Sequence, residues 1–483
     1  MVIAKTNILT FVFCLFTLCS VAQSITPDTI AIQSKFPETK RKPIFALSEI
    51  IGLNTSVCAV DKYILKKDFA YIDHKTIYTN FEKGPVWDSD LFGTNFILHP
   101  YHGSLYYNAA RSNGFNFYES IPFAFTGSLT WEYLFETERP SINDLISTTI
   151  GGTALGEVTY RLSNQIFDNS AYGANRLFRE IFGTIISPIS GLNRIISGKA
   201  WKHSTTQIKE KIPINFSLYT GYQVLKPRMN ADYLPYLQFA LNLEYNPNLT
   251  EIEKPYDWFE LYACANIRPN TIYIKQLNLT GLLWNKTIKE SNHYSLNWGI
   301  YQHISYLDSP IKEYQETPYR MVQIAAIGPG LHYHKQLAPA VKLDTKAFLT
   351  AIGLGASLSD HYWVVDRDYS FGSGFSTGLQ FNIIDEANGF KFKFSANNYQ
   401  LFTWKGYDPK RKLYNENLQM LNAQGDEGSV NVTTIETELG YQSPLGWNVS
   451  VIPSYLLRSN HYKYFPSVNY STYEFSFKIG YKI

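Results

Sequence analysis

Cysteine is scarce in this sequence, with 4 in 483 residues. Two of them, Cys14 and Cys19, fall within residues 1–22, which read as a secretory signal. Cys58 and Cys264 stand roughly 200 residues apart; a lone pair at that separation is no disulfide framework, and we read two isolated buried thiols. An excess of one charge is also missing. Lys and Arg number 43 against 41 Asp and Glu, a net +2 with no basic stripe, which argues against a nucleic-acid partner. Beyond the N-terminus, no uncharged apolar stretch reaches the ~20 residues of a membrane-spanning helix.

In the signal, Lys5 supplies the positive charge, Ile8 to Leu18 the apolar core, and Ser20-Val21-Ala22 the small residues of a cleavage site. Cys19 is not expected to carry lipid, because Leu18 occupies a position where lipoprotein signals place a small residue.

Aromatic side chains, by contrast, are plentiful at 16%, with 36 Tyr and 9 Trp, enough to furnish girdles at two membrane interfaces. The final residues show where some of them go. From Tyr473 to Ile483 the odd positions are apolar or aromatic (Tyr473, Phe475, Phe477, Ile479, Tyr481, Ile483), and the even ones polar or small. Successive side chains of a strand point to opposite faces, so this segment has one greasy and one wet face. It runs to the last residue, as the strands of outer-membrane barrels commonly do.

The same period of two governs the chain from about residue 211. Leu237, Phe239, Leu241, Leu243 and Tyr245 share a face, as do Phe390, Phe392 and Phe394. Similar runs begin near Ile212, Trp258, Lys275, Tyr294, Met321, Leu343, Phe371, Thr434 and Trp447, so the tally is about twelve strands. A soluble sandwich alternates too, but rarely keeps Phe and Tyr so consistently on one side; the pattern predicts a transmembrane antiparallel β-barrel over residues 201–483. Many inner positions are glycine (Gly299, Gly353, Gly355, Gly372, Gly374, Gly378, Gly440, Gly480), which leaves room inside. Luminal Glu244, Lys391, Lys393, Glu436, Glu438 and Glu474 carry both signs and predict no strong ion selectivity.

Residues 99–200 have a helical period instead. Ser141 caps a helix start, with Asp144 placed to reach back as a capping box, and Leu145 to Leu155 follows as a buried helix. Gly152 and Gly156 permit a close backbone approach on one face, and Glu157 can pair with Arg161 one turn on. Further helices are expected over Ser104–Ser112, Glu119–Thr137, Tyr172–Gly183 and Pro188–Ser197. We expect this module to plug or cap the barrel, and residues 23–98 to form an irregular lead-in with β-like pieces such as Phe69 to Ile72.

Within that module, His99-Pro-Tyr-His-Gly103 is followed by Tyr107-Asn-Ala-Ala-Arg-Ser-Asn-Gly114, Gly127-Ser128, Trp131-Glu132-Tyr133, Glu136, Pro140 to Asp144, Gly151-Gly152, Gly156-Glu157 and Arg161. This pattern resembles a bacterial family frequent in Bacteroidota, the domain of unknown function 3943. The resemblance covers residues 85–200 most closely and weakens through the barrel. It implies a bacterial cell-envelope protein and brings no known activity.

The polar residues of the module, His99, His102, Arg111, Glu132, Glu136, Asp144, Glu157 and Arg161, could converge as a metal or acid/base site. We expect them instead to neutralise one another, with no metal and no cofactor. A second motif, His293-Tyr-Ser295, is similar to the His-x-Ser-Asn core of outer-membrane phospholipases and lipid A deacylases, but Leu296 stands where that core has Asn. Leu296, Trp298 and Ile300 form the apolar face, which turns His293 and Ser295 into the lumen, away from acyl chains. Gly328-Pro-Gly330 lacks the lysine and helix of a phosphate loop and reads as a bulge or turn. The sequence thus predicts an outer-membrane protein in contact with lipid. Its expected role is passage or binding of a small solute, or an envelope scaffold for other proteins; a lipid-modifying acyl hydrolase is the alternative.

Overall fold

The computed structural model describes residues 40–203, 212–227, 232–247, 249, 252–269, 271–291, 293–311, 316–362, 367–410 and 425–483. The predicted export signal lies outside them.

Twelve strands close into one antiparallel barrel, each paired with its neighbour in sequence. They are β1 (Ile214–Lys226), β2 (Leu234–Tyr245), β3 (Phe259–Arg268), β4 (Thr271–Ser291), β5 (Tyr294–Asp308) and β6 (Arg320–Ala338). The second half comprises β7 (Val341–Leu358), β8 (Tyr369–Asp385), β9 (Phe390–Thr403), β10 (Gly428–Gln442), β11 (Trp447–Tyr462) and β12 (Val468–Lys482). Pairing of β1 with β12, from Ser217↔Lys482 to Lys226↔Tyr473, closes the ring and removes both sheet edges. Short connections join strands at the end that holds the C-terminus, such as residues 339–340 and 443–446. The connection between β2 and β3, residues 246–258, is longer and lies at this same end.

Alternation sorts the side chains as expected. On β12, Glu474, Ser476 and Lys478 are buried, while Tyr473, Phe475, Phe477 and Ile479 are exposed. The inward set from all twelve strands lines a polar cavity of about 150 Å³. Side chains from separated walls meet across it. Lys346 on β7 contacts Glu260 on β3 at 2.7 Å. Lys275 on β4 contacts Glu474 on β12 at 2.5 Å, and Tyr319 before β6 donates to the same carboxylate at 2.6 Å. Neighbouring side chains take the space that the glycines free: an added Cβ on Gly480 would meet the Tyr219 ring at 2.3 Å. Gly353 differs from expectation; it is exposed on the outer surface, next to an irregularity between Ile352 and Gly355 in the pairing with β8.

Eight α-helices precede the barrel among the described residues: α1 (Pro43–Ala59), α2 (His74–Lys83), α3 (His99–Ser112), α4 (Phe117–Leu134), α5 (Ile142–Ile146), α6 (Gly152–Ile166), α7 (Gly173–Ile186) and α8 (Pro188–Ile196). The expected irregular lead-in is therefore corrected: helix begins at Pro43, and the Phe69 region is a 3₁₀ turn, not a strand. The signal was obscured because α1 carries apolar residues on both faces. Its buried positions are Ala46, Ile50, Asn54 and Cys58, spaced four apart, while Ile44, Phe45, Leu47 and Ile51 face outward. Pro43–Ile64 is long and apolar enough to cross a membrane by length and composition. Its one mid-helix charge, Glu49, turns inward and accepts from Asn113 and Asn193.

The helical module does not plug the lumen. Parity decides this: on β5, His303 and Ser305 line the cavity, whereas Ile304 and Tyr306 belong to the core shared with the helices. The same holds on β4, where Asn278 and Thr280 face the cavity and Leu279 faces the helices. Val322, Leu354, Tyr369 and Phe371 complete an outward patch that packs on Phe92, Phe96, Tyr106, Tyr107 and Phe117. The module lies against the outer wall. A plug would need partners on the inner face, and that face is already filled by its own polar side chains.

Candidate functional site

The sequence-predicted polar residues form two clusters at the helix–helix interfaces of the module. α3 takes part in both, packing closely on α6. Gly103 and Gly152 let the two backbones touch, and Gly156 admits the Tyr107 ring.

One cluster centres on Glu157, which is fully buried. Tyr107 donates to it at 2.9 Å, Arg111 through Nε at 2.8 Å, and Arg161 at 2.8 Å. Arg161 also meets Asp257, in the connection between β2 and β3, at 2.9 Å. Here the expected mutual neutralisation holds. The arrangement is structural: it ties α3 to α6 and both to the barrel rim, and each charge has a partner of opposite sign.

The other cluster has no such balance. His99, at the start of α3, places Nε2 3.5 Å from Asp144 Oδ1 and Nδ1 3.4 Å from the Thr148 hydroxyl. Ser141 caps α5 as expected, its hydroxyl accepting from the Asp144 amide at 3.3 Å. The predicted capping box is not the partner of the Ser141 amide; Glu132 from α4 accepts that proton at 2.7 Å. This frees the Asp144 carboxylate for the interior, where Asn143 donates to it at 2.8 Å. Asn143 and Asn95 both donate to Asp88, at 2.9 and 2.8 Å. Tyr369 of the barrel accepts from Asn95 at 2.6 Å. The carboxyl groups of Glu132 and Glu136 lie within hydrogen-bond reach of each other, as do those of Asp88 and Asp144. Glu132 and Asp144 are buried. His99, Glu132 and Asp144 each bring a donor atom within 4.8 Å of the other two.

His102 stands apart from this centre, its ring against Tyr106 and Trp131. Asp88, Asn95, Asn143 and Tyr369 were not foreseen from sequence. They reach the cluster from separate elements, and no local spacing marks them.

His293 and Ser295 are not assembled into a catalytic pair. His293 sits exposed in the turn before β5, and the strand neighbours of Ser295 are Glu290 and His334. Gly328-Pro-Gly330 lies within β6, with no helix behind it.

The helical module is the part with a known counterpart. Residues 84–189 match the family model of a domain of unknown function (DUF3943). Among solved structures, the chain is similar to the NanC porin, at 10% identity and TM-score 0.27 over 56% of this chain and 100% of that one. It is also similar to the outer membrane channel DcaP of Acinetobacter baumannii, at 8% identity and TM-score 0.22 over 56% and 97%. The transport unit of the Escherichia coli autotransporter AIDA-I matches at 11% identity and TM-score 0.25 over 60% and 96%. Comparison with curated proteins returns no match.

Proposed function

We propose that this is an integral outer-membrane protein whose barrel is a scaffold and whose helical module interacts with membrane lipid. One observation carries the reading: the helices pack on the barrel's outward face and themselves expose apolar side chains. Among the described residues, Ile51, Phe125, Phe178 and Ile181 are all more than two-fifths exposed. In water such a surface would be costly, whereas acyl chains cover it without loss. The other outward positions of the barrel, including Phe375, Phe475 and Phe477, carry the same apolar surface around the wall. Solute passage is the weaker reading, because cross-wall ion pairs fill the lumen. A lipid-modifying activity, if present, belongs to the His99, Glu132 and Asp144 cluster and not to Ser295.

The test uses photoactivatable phospholipids in bilayers holding the full-length protein, with adducts mapped by mass spectrometry. The expected adducts fall on α1, α4 and α7 as well as on the barrel. Adducts confined to the strands, with the helices free of lipid, would overturn the proposal.

A further inference from the structure

The cluster at His99 has a charge problem that its protein contacts do not solve. Asp88, Glu132, Glu136 and Asp144 converge there, and among the described residues none of them forms an ion pair with a lysine or arginine. Arg367 reaches the region but spends an N–H on the backbone carbonyl of Asp88. Buried carboxylates without a cation carry a penalty of roughly several kcal/mol each. The cluster around Glu157, thirteen residues beyond Asp144 in the chain, shows how this protein balances buried charge when the role is structural: two guanidiniums answer one carboxylate.

A further observation points to a missing positive partner. Asn95 is wholly buried and joins the cluster through its amide nitrogen, yet its carbonyl oxygen has no partner.

We propose that His99, Glu132 and Asp144 bind a divalent transition metal ion, with Asp88 and Glu136 as the carboxylates that surround the ligands. One imidazole and two carboxylates form a borderline nitrogen–oxygen set of the kind zinc and manganese accept, and three protein ligands leave a position for an outside group. Ligands ~2.1 Å from one ion stand ~3.4 Å apart at the tetrahedral angle; His99 Nε2 and Asp144 Oδ1 already lie 3.5 Å apart, and no pair exceeds 4.8 Å. The Thr148 hydroxyl on His99 Nδ1 holds the ring so that Nε2 faces Asp144, the orienting role outer partners play at metal sites. Because α3, α4 and α5 each supply one ligand, the ion would also cross-link the module. This inference goes beyond the lipid reading and does not depend on it.

The experiment is calorimetric titration of the metal-stripped, full-length protein in detergent micelles with zinc and, separately, manganese. The expected result is one ion per chain for at least one metal. His99→Gln and Asp144→Asn should each weaken binding tenfold or more, while Glu119→Gln on the module surface leaves it unchanged. To guard against variants that fail to fold, copper is loaded into the unmodified protein and its electron paramagnetic resonance recorded. Hyperfine coupling to one imidazole nitrogen is expected. Absence of stoichiometric binding by both metals, binding that survives both substitutions, or a copper spectrum without nitrogen coupling would each overturn the site. Because no lipid enters these measurements, their failure leaves the lipid reading standing, and the crosslinking result leaves this one standing.

Discussion

The backbone of Gly152 rests on that of Gly103: a Cβ built on Gly152 would lie 2.5 Å from the Gly103 carbonyl carbon. That contact sets the spacing of α3 and α6, and through it the distance from His99 to Asp144. Gly152→Val cannot be absorbed by a side-chain rotation, because the obstacle is backbone. We expect a loss of about 1–3 kcal/mol, read as a lower midpoint of chemical unfolding in micelles. Gly93, with open space where a Cβ would go, should accept alanine with a change within about 0.5 kcal/mol.

Glu157→Gln removes the one carboxylate that Arg111 and Arg161 share and leaves both guanidiniums buried. The expected cost is about 3–5 kcal/mol. Adding Arg111→Met should recover part of it, because one unpaired charge is gone; strict additivity of the two substitutions would show that they do not share a network.

Depth along β12 can be tested directly. Phe477, midway along the exposed stripe, should lose about 2–4 kcal/mol as Phe477→Arg, whereas Tyr481→Arg near the strand end should lose about 0–1 kcal/mol. Equal losses at the two positions would contradict a bilayer centred on Phe477.

Conductance separates a plug from an outer-wall module. With the module outside, a variant lacking residues 40–203 should give no more single-channel current than the full chain. A steady pore opened by the deletion would show that the helices block the lumen. Lys346→Ala, which removes a cation that meets Glu260 across the cavity, should raise current more than the deletion does.

Local patterns were legible in advance. The period of two located the strands of the barrel to within a few residues, because pleating alone dictates it. Gly152, Gly156 and the Glu157–Arg161 pair were readable from spacing on a single helix. The partnership of Glu157 with Arg111, or of Asp88 with Asn143, was not, since it requires two helices to be set in register by packing. The helix at Pro43 was hidden because apolar residues lie on both its buried and its exposed faces (Ala46, Ile50 and Cys58 inward, Ile44, Phe45, Leu47 and Ile51 outward), so no amphipathic period marks it.

By itself, then, the sequence determined that the barrel has an apolar face and a polar one, and that a helical module precedes it. Only the tertiary structure decided what covers the apolar face. Tyr306, Tyr369 and Phe371 read in sequence like Phe475 and Phe477, yet the first three lie under helices and the last two are exposed. The physical reason is that burial of apolar surface is non-directional. A strand face that suits acyl chains suits a helix equally well, and the choice between them is made by the packing of the whole module, not by the strand.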